Sequence, residues 1–473
     1  MFQFSALTPL LIIAITSVVL ILVTAFYRNH KFIAGLSLTG LLIAFFSIFI
    51  ISKTMPGWAG KLILIDGFSI FYFGLTLVAV ILINIINYTY FKSVEEQKEE
   101  FYIMLHVSTL GTMVMISSVH FASFFLGLEL LSIPLYVMIA YSRNTPFGVE
   151  AAIKYFILAG ASSSILLFGM ALIYYECGSM DIKYFIYTLQ TTLHFPFLLK
   201  FGIGMIITAL GFKLALAPFH MWTPDVYQGA PAPVTAFLST ASKGGAFAFA
   251  IRLFALINFE TAGSIITVLS ILAGLSMFTG NLLAIRQNNV KRILACSSIA
   301  HFGYLLIALI SGGRIGVQAA TFYLSVYFIT TIGAFSVLTI LAKNGKEKDN
   351  IEDLRGLYFR NRFLAVIMAT MFFSLAGMPL TAGFMSKYYL ASIGINANFW
   401  ILIWLLIINS AIGLFYYLRV VYSIFRPSVE NQKEEMVWVS VGGSFALAVS
   451  FIAVVWLGIA PGGLLDIISG SLK

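Results

Sequence analysis

The amino-acid sequence predicts an all-α integral membrane protein that crosses the bilayer about 14 times, and three observations predict it. Of its 473 residues, 60% are hydrophobic and 10% charged, with a mean hydropathy of +0.97. A soluble domain carries roughly 25% charged residues, so a water-soluble fold is excluded. Apolar runs of the ~20-residue length that a hydrocarbon core demands follow one another almost end to end. They are too long for barrel strands, and an open sheet edge cannot satisfy its backbone in lipid, so each run is a helix.

In chain order the spans are 7–27, 32–52, 67–91, 101–119, 120–141, 149–175, 197–219, 230–257, 263–285, 290–310, 317–343, 363–395, 397–425 and 436–460. Span 1 has no basic residue ahead of it and no small-residue cleavage site, and it is too long for a signal-peptide core, so it is a retained crossing. The longest polar connections are Lys92–Glu100, Glu176–His194 and Lys343–Arg362. Most Lys and Arg outside the spans fall on the face of Arg28 and Lys31, which places both termini on the opposite, periplasmic side. An even number of crossings agrees with that.

The net charge of +9 is spread over these short connections. That is the distribution of topology signals, not a nucleic-acid-binding patch. Cys177 and Cys296 form no CxxC pair, so the four thiolates of an iron–sulfur cluster are unavailable, and no Gly-rich nucleotide loop follows a predicted strand. No cofactor or metal is expected in this chain; if electrons or nucleotides enter the wider function, another chain handles them.

Two spans are interrupted. Pro218 breaks span 7 just before Phe219 and His220, and Pro379, flanked by Gly377 and Gly383, breaks span 12. Proline removes a backbone donor and clashes with the preceding turn, and broken helices persist in membranes where they line a polar cavity. Breaks five spans apart point to two inverted five-helix repeats, spans 4–8 and 9–13, with the site between them. The expected division is three N-terminal helices (1–100), a first repeat (101–260), a second repeat (261–430), and a last helix with its tail (431–473).

An uncompensated charge at a helix centre costs roughly 2.5–3.5 kcal/mol, so charges inside spans mark function. Lys213 lies about a turn and a half before the span-7 break, with too much apolar chain around it to snorkel. Lys243 sits mid-span between Ser242 and Gly244-Gly245, where small residues leave room for water. Lys387 follows Pro379 by two turns. Glu129 is the one carboxylate in the middle of a span; a nearby ammonium keeps it ionised, and a change in their separation shifts a proton on or off the lysine. Lys154 follows Glu150 by four residues, the spacing of a helical ion pair, and is either that or a member of the polar line. His220 and His301, near span ends, are candidate relays at neutral pH.

The stretch from Ala217 to Lys243, APFHMWTPDVYQGAPAPVTAFLSTASK, resembles the signature of antiporter-like membrane subunits of NADH:quinone oxidoreductase, respiratory complex I. Phe125–Tyr136, Glu150–Leu158, Val290–Tyr304, Asp353–Leu357 and Pro379–Lys387 fit the same family. The resemblance implies that Glu129 pairs with Lys213, and that Lys243 and Lys387 continue a hydrated line for protons across the subunit. On such a line His220, near the span-7 break, is the candidate relay between Lys213 and Lys243. It implies other membrane subunits, antiporter-like ones among them, as partners. It also implies flavin, iron–sulfur clusters and quinone in those partners and a bacterial inner membrane as the site. Lys387 stands where one paralogue typically carries glutamate, and the chain ends soon after span 14 where another carries a long lateral helix. Multi-subunit cation/proton antiporters share the Pro-x-His…Ala-Pro-x-Pro-Val region and are the alternative assembly.

Overall fold

The computed structural model of the chain describes residues 4–53, 55–92, 98–141, 146–191, 196–254, 263–342, 347–427 and 436–472. The end of the expected span 230–257 and parts of the three long connections lie outside them. The helices are α1 Thr8–Phe26, α2 His30–Ile51, α3 Gly67–Lys92, α4 Glu100–Ser117, α5 Phe121–Ile139, α6 Pro146–Cys177, α7 Ile182–Thr191, α8 Phe197–Leu214, α9 Trp222–Gly229, α10 Ala232–Phe237, α11 Lys243–Phe254, α12 Gly263–Ile285, α13 Val290–Ser311, α14 Gly313–Leu341, α15 Leu357–Arg360, α16 Arg362–Ala376, α17 Ala382–Asn396, α18 Trp400–Phe425, α19 Val441–Ile459 and α20 Gly462–Ser471. Among the described residues 13 helices, with α10 and α11 joined through a π-helical turn, are long and apolar enough to cross a membrane. The remaining expected span, 363–395, is occupied by α16 and α17, each of 15 residues and therefore about 22 Å long, on either side of Pro379.

Several of these helices start for a reason legible in the chain. Asn29, Asn289, Asn361 and Ser440 each accept a backbone N–H from the first turn of the helix that follows, satisfying a donor that would otherwise be orphaned. Two features were not expected. A hairpin of β1 Gly57–Ala59 and β2 Ile63–Ile65 caps the α2–α3 connection, and α7 lies in the Glu176–His194 connection with Ile182, Phe185, Ile186 and Leu189 buried on one face.

The interior is arranged in rings. The crossing Ala232–Phe254 and α13 are wholly buried and α14 almost so, whereas α1, α6, α18 and α19 leave most of their surface outward. A helix apolar all round can be buried on all sides only at the centre. Lys243 and His301 therefore stand on central helices, well away from lipid.

Two pieces of geometry recur in the halves. The closest helix pairs are α4 with α5 and α12 with α13. Gly111 lies against the backbone of Gly127 and Leu131, and Gly280 against that of Cys296 and Ala300, each position displaced by the same 169 residues. The two breaks are also alike. After α8, Leu216 N–H returns to Gly211 O (2.7 Å) and Ala215 N–H to Phe212 O (3.0 Å); after α16, Met378 N–H returns to Phe373 O (3.0 Å) and Gly377 N–H to Ser374 O (3.0 Å). Both are Schellman closures, with Ala215 (φ 60°) and Gly377 (φ 83°) in the left-handed region. Each helix thus ends at this closure, and Pro218 and Pro379 follow where they prevent its continuation.

At the opposite membrane face from Arg28, Asp66 caps α3 through Ser69 N–H (2.9 Å) and is gripped by both terminal nitrogens of Arg252 from α11 (2.9 and 3.0 Å). Burial opposes ionisation of Asp66, but the Arg252 charge and the hydrogen bonds outweigh it and hold the carboxyl below its ordinary 3.8. A depressed acid stabilises the fold above its unfolded-state pKa and loses that contribution as pH falls through its folded one. Asp66→Asn should therefore cost about 2 kcal/mol at neutral pH. It should also flatten the acid limb below about pH 4 in thermal unfolding of the detergent-solubilised protein.

Candidate functional site

The polar residues of the interior form a line across both halves. In the first, Lys213 at the end of α8 donates to Ser132 Oγ on α5 (2.9 Å) and Tyr155 OH on α6 (3.2 Å). Glu129, one turn before Ser132, accepts from Ser163 Oγ on α6 (2.5 Å). The expected partners do not touch. Lys213 lines a small cavity with Ser132, Ser162 and Ser163, just large enough for one water, and Glu129 reaches it only through its bond to Ser163. The hydroxyls of α5 and α6 stand between carboxylate and ammonium.

Tyr155 then packs against Trp222 at a tilt of 38° (centroids 4.7 Å apart), and Trp222 is one of three rings around Lys243. The Lys243 ammonium lies 5.6 Å from the Trp222 centroid and 5.3 Å from those of Tyr227 and Phe302, and it donates to Ser298 Oγ on α13 (2.9 Å). Lys243 has no exposed surface. Cation–π attraction strengthens when desolvated, so the cage softens the cost of burying the charge. The π-helical turn Leu238–Ser242 immediately precedes it, and such turns occur frequently at functional sites.

One turn beyond Ser298, His301 engages a tyrosine at each nitrogen: Nδ1 with Tyr323 OH (2.6 Å) and Nε2 with Tyr417 OH (3.1 Å). His301, Tyr323, Tyr327, Ser374 and Lys387 line one further cavity, again of single-water size. Lys387 donates to Ser410 Oγ (2.6 Å) and to the Ala376 carbonyl left free at the span-12 break (2.8 Å). The Schellman turn thus furnishes an acceptor for the lysine.

The other expected residues stand apart. Lys154 is exposed and ion-paired to Glu150 (2.7 Å) and Asp225 (2.9 Å), with Asp225 also held by Arg292 (2.8 Å). His220 is buried beside the first break, its Nδ1 without a partner; among the described contacts it meets neither Lys213 nor Lys243. Trp222 lies between the Lys213 partner Tyr155 and Lys243, where His220 was expected as a relay. Lys291, not singled out from the sequence, is a buried lysine of ordinary kind. It pairs with Glu347 and donates to Ala230 O (2.8 Å). Among the described residues none of Lys213, Lys243 and Lys387 has a carboxylate at ion-pair distance; each rests on hydroxyls, carbonyls and rings. A buried ammonium without a counter-ion is costly, so both charge states of such a lysine are accessible.

A family model for the transmembrane subunits of NADH:quinone oxidoreductase and Mrp antiporters matches residues 118–413, more than half of the chain. The chain belongs to this family. It is an antiporter-like, multi-pass membrane subunit of the kind found in complex I or Mrp-type complexes. Its fold is similar to that of a chain of respiratory complex I from Thermus thermophilus, with 32% identity and a TM-score of 0.83 over 97% of this chain and 98% of that one. It is also similar to a chain of the Mrp complex from Dietzia sp. DQ12-45-1b (19% identity, TM-score 0.87, 99% and 97% covered). A third likeness is to a chain of the membrane-bound sulfane sulfur reductase, an archaeal respiratory complex (24% identity, TM-score 0.88, 99% and 97% covered). At those lower identities the likeness concerns the antiporter-like fold alone.

Proposed function

We propose that this antiporter-like subunit translocates protons as part of an NADH:quinone oxidoreductase in a bacterial inner membrane, in the position of the N subunit, with both termini on the periplasmic side. The observation that carries the reading is the set of three buried lysines that have no counter-ion among the described residues and are joined through hydroxyls, rings and His301. The complex I assignment is supported by the 32% identity to the Thermus thermophilus chain against 19% to the Mrp chain, and the paralogue by Lys387 at the second break. Quinone reduction elsewhere in the assembly alters the distance between Glu129 and Lys213. A closer carboxylate favours the ammonium, and a withdrawn one favours release of its proton. Water in the two small cavities carries that proton to Lys243 and, through Ser298 and His301, to Lys387 and out. Flavin, iron–sulfur clusters and quinone belong to partner subunits, other antiporter-like subunits among them.

The native complex purified through this chain should carry flavin and iron–sulfur absorbance; their absence would assign it to a cation/proton antiporter. In vesicles, Glu129→Gln should lower the proton-to-electron ratio while quinone reduction proceeds. An unchanged ratio would sink the role given to the Glu129–Lys213 pair.

A further inference from the structure

Away from the lysine line, α2, α3 and α4 enclose a second buried polar group, on the Arg28 side of the membrane. His30, the first residue of α2, stacks on Tyr88 (5.0 Å) and meets Tyr102 OH with Nε2 (2.9 Å). One turn deeper on α4, His106 is fully buried, and its Nδ1 lies 2.9 Å from the Tyr102 carbonyl. A carbonyl only accepts, so Nδ1 carries the hydrogen and neutral His106 presents a bare lone pair at Nε2. That atom has no partner, and neither does either amide atom of the fully buried Asn87 on α3. Asn84, three residues earlier on the same face, donates to Ser37, whose hydroxyl reaches His106 Nδ1 (3.5 Å). Each unsatisfied polar atom in a bilayer costs several kcal/mol, so this arrangement calls for water.

The group has a continuation. Tyr102, His106, Thr109 and Thr112 follow one face of α4 at three- and four-residue spacing, all fully buried. Ten residues of helix rise about 15 Å, half the hydrocarbon thickness. There Thr112 abuts Gly245, close enough that a β-carbon on Gly245 would come within 2.7 Å of its methyl. Ser242, one turn before Gly245 on the same face and next to Lys243 in the chain, has a buried hydroxyl without a partner. The unpartnered atoms of Asn87, His106 and Ser242 thus lie along one route from the Arg28 face to the π-helical turn that carries Lys243.

We propose that α2, α3 and α4 form a hydrated entry through which Lys243 is reloaded with protons, His106 being its relay. A file of water open to the Arg28 face delivers a proton to His106 Nε2 and is itself resupplied from the bulk, while the hydrogen on Nδ1 stays bonded to the Tyr102 carbonyl. The imidazolium then releases that same Nε2 proton to water on the Thr109 side, so the ring ends neutral with its Nδ1–H bond unchanged. Around the mouth stand the Arg28–Glu100 pair (3.0 Å), Lys98, Glu99, Tyr88 and Tyr141.

The entry rests on the proton-translocating reading above, and the test separates the two. In vesicles holding the whole complex, the proton-to-electron ratio is measured for His106→Gln, Ser242→Ala and Lys243→Met. Glutamine keeps a hydrogen bond to the Tyr102 carbonyl but cannot carry a proton, so a structural role would leave H106Q at the unsubstituted ratio. The expected result is that H106Q and S242A fall to the level of K243M with quinone reduction intact. Loss in K243M alone, with both others unchanged, overturns the entry. An unchanged ratio in K243M overturns the reading beneath it. Should H106Q fail to assemble, S242A decides by itself.

Discussion

Replacing Lys243 with methionine should abolish proton translocation through this subunit while the complex still assembles and still reduces quinone. Methionine matches the length and apolar stem of lysine and removes only the ammonium. Lys243 has no carboxylate at ion-pair distance among the described residues, so its removal strands no opposite charge. Its one hydrogen-bond acceptor is Ser298 Oγ, a hydroxyl that can turn elsewhere. A buried charge exchanged for a well-packed apolar side chain is often neutral or stabilising by about 1–4 kcal/mol. The thermal stability of K243M should therefore equal or exceed that of the unsubstituted protein, and its proton-to-electron ratio should fall. Loss of assembly together with pumping would identify the aromatic cage as a structural clamp.

The second large effect is structural. Gly111→Val should prevent close packing of α4 on α5, because a β-carbon there would stand 2.7 Å from the Leu130 carbonyl carbon and 2.8 Å from Gly127 O. These are backbone atoms, which cannot swing away as a side chain would, so the helices must separate. Overpacking of this kind costs about 3 kcal/mol or more. Separation also pulls Ser132 and Glu129 on α5 away from Lys213. Thermal aggregation of the solubilised protein should shift down by several degrees, and the equivalent Gly280→Val should do the same in the second half. A normal melting profile for both variants would refute the view that these glycines set the helix spacing.

The crossings were legible because the bilayer imposes a length and forbids unpaired backbone, a rule each apolar run obeys independently. The candidate lysines were legible for the complementary reason that a charge in lipid is costly enough to stand out singly. Hydroxyls carry no such signal. Ser132, Ser163, Ser298 and Ser410 hold the charged groups, yet a serine in an apolar run is usually bonded to its own helix four residues back, as Ser276 and Ser325 are. Trp222 and the tyrosines around His301 read as ordinary aromatic bulk until the helices that bring them together are in place. His106 was missed because span 4 holds no charge and neutral imidazole is cheap to bury. His220 was expected as a relay because it is a histidine near a span end, but the turn from Ala215 to Met221 brings Trp222 to Lys243 instead.

The two tyrosines on His301 impose a rule of traffic. A neutral imidazole donates from one nitrogen and accepts at the other, so Tyr323 and Tyr417 must point their hydroxyl hydrogens in the same sense along the row. When a proton hops through, every member exchanges the hydrogen it held for the one it received, and the row is left aimed backwards. It cannot pass another in that direction until ring and hydroxyls have turned over. Such a row meters charge as a turnstile does, one count per reset, and the slowest event in a cycle can be the rotation of a tyrosine hydroxyl and not the movement of the proton itself.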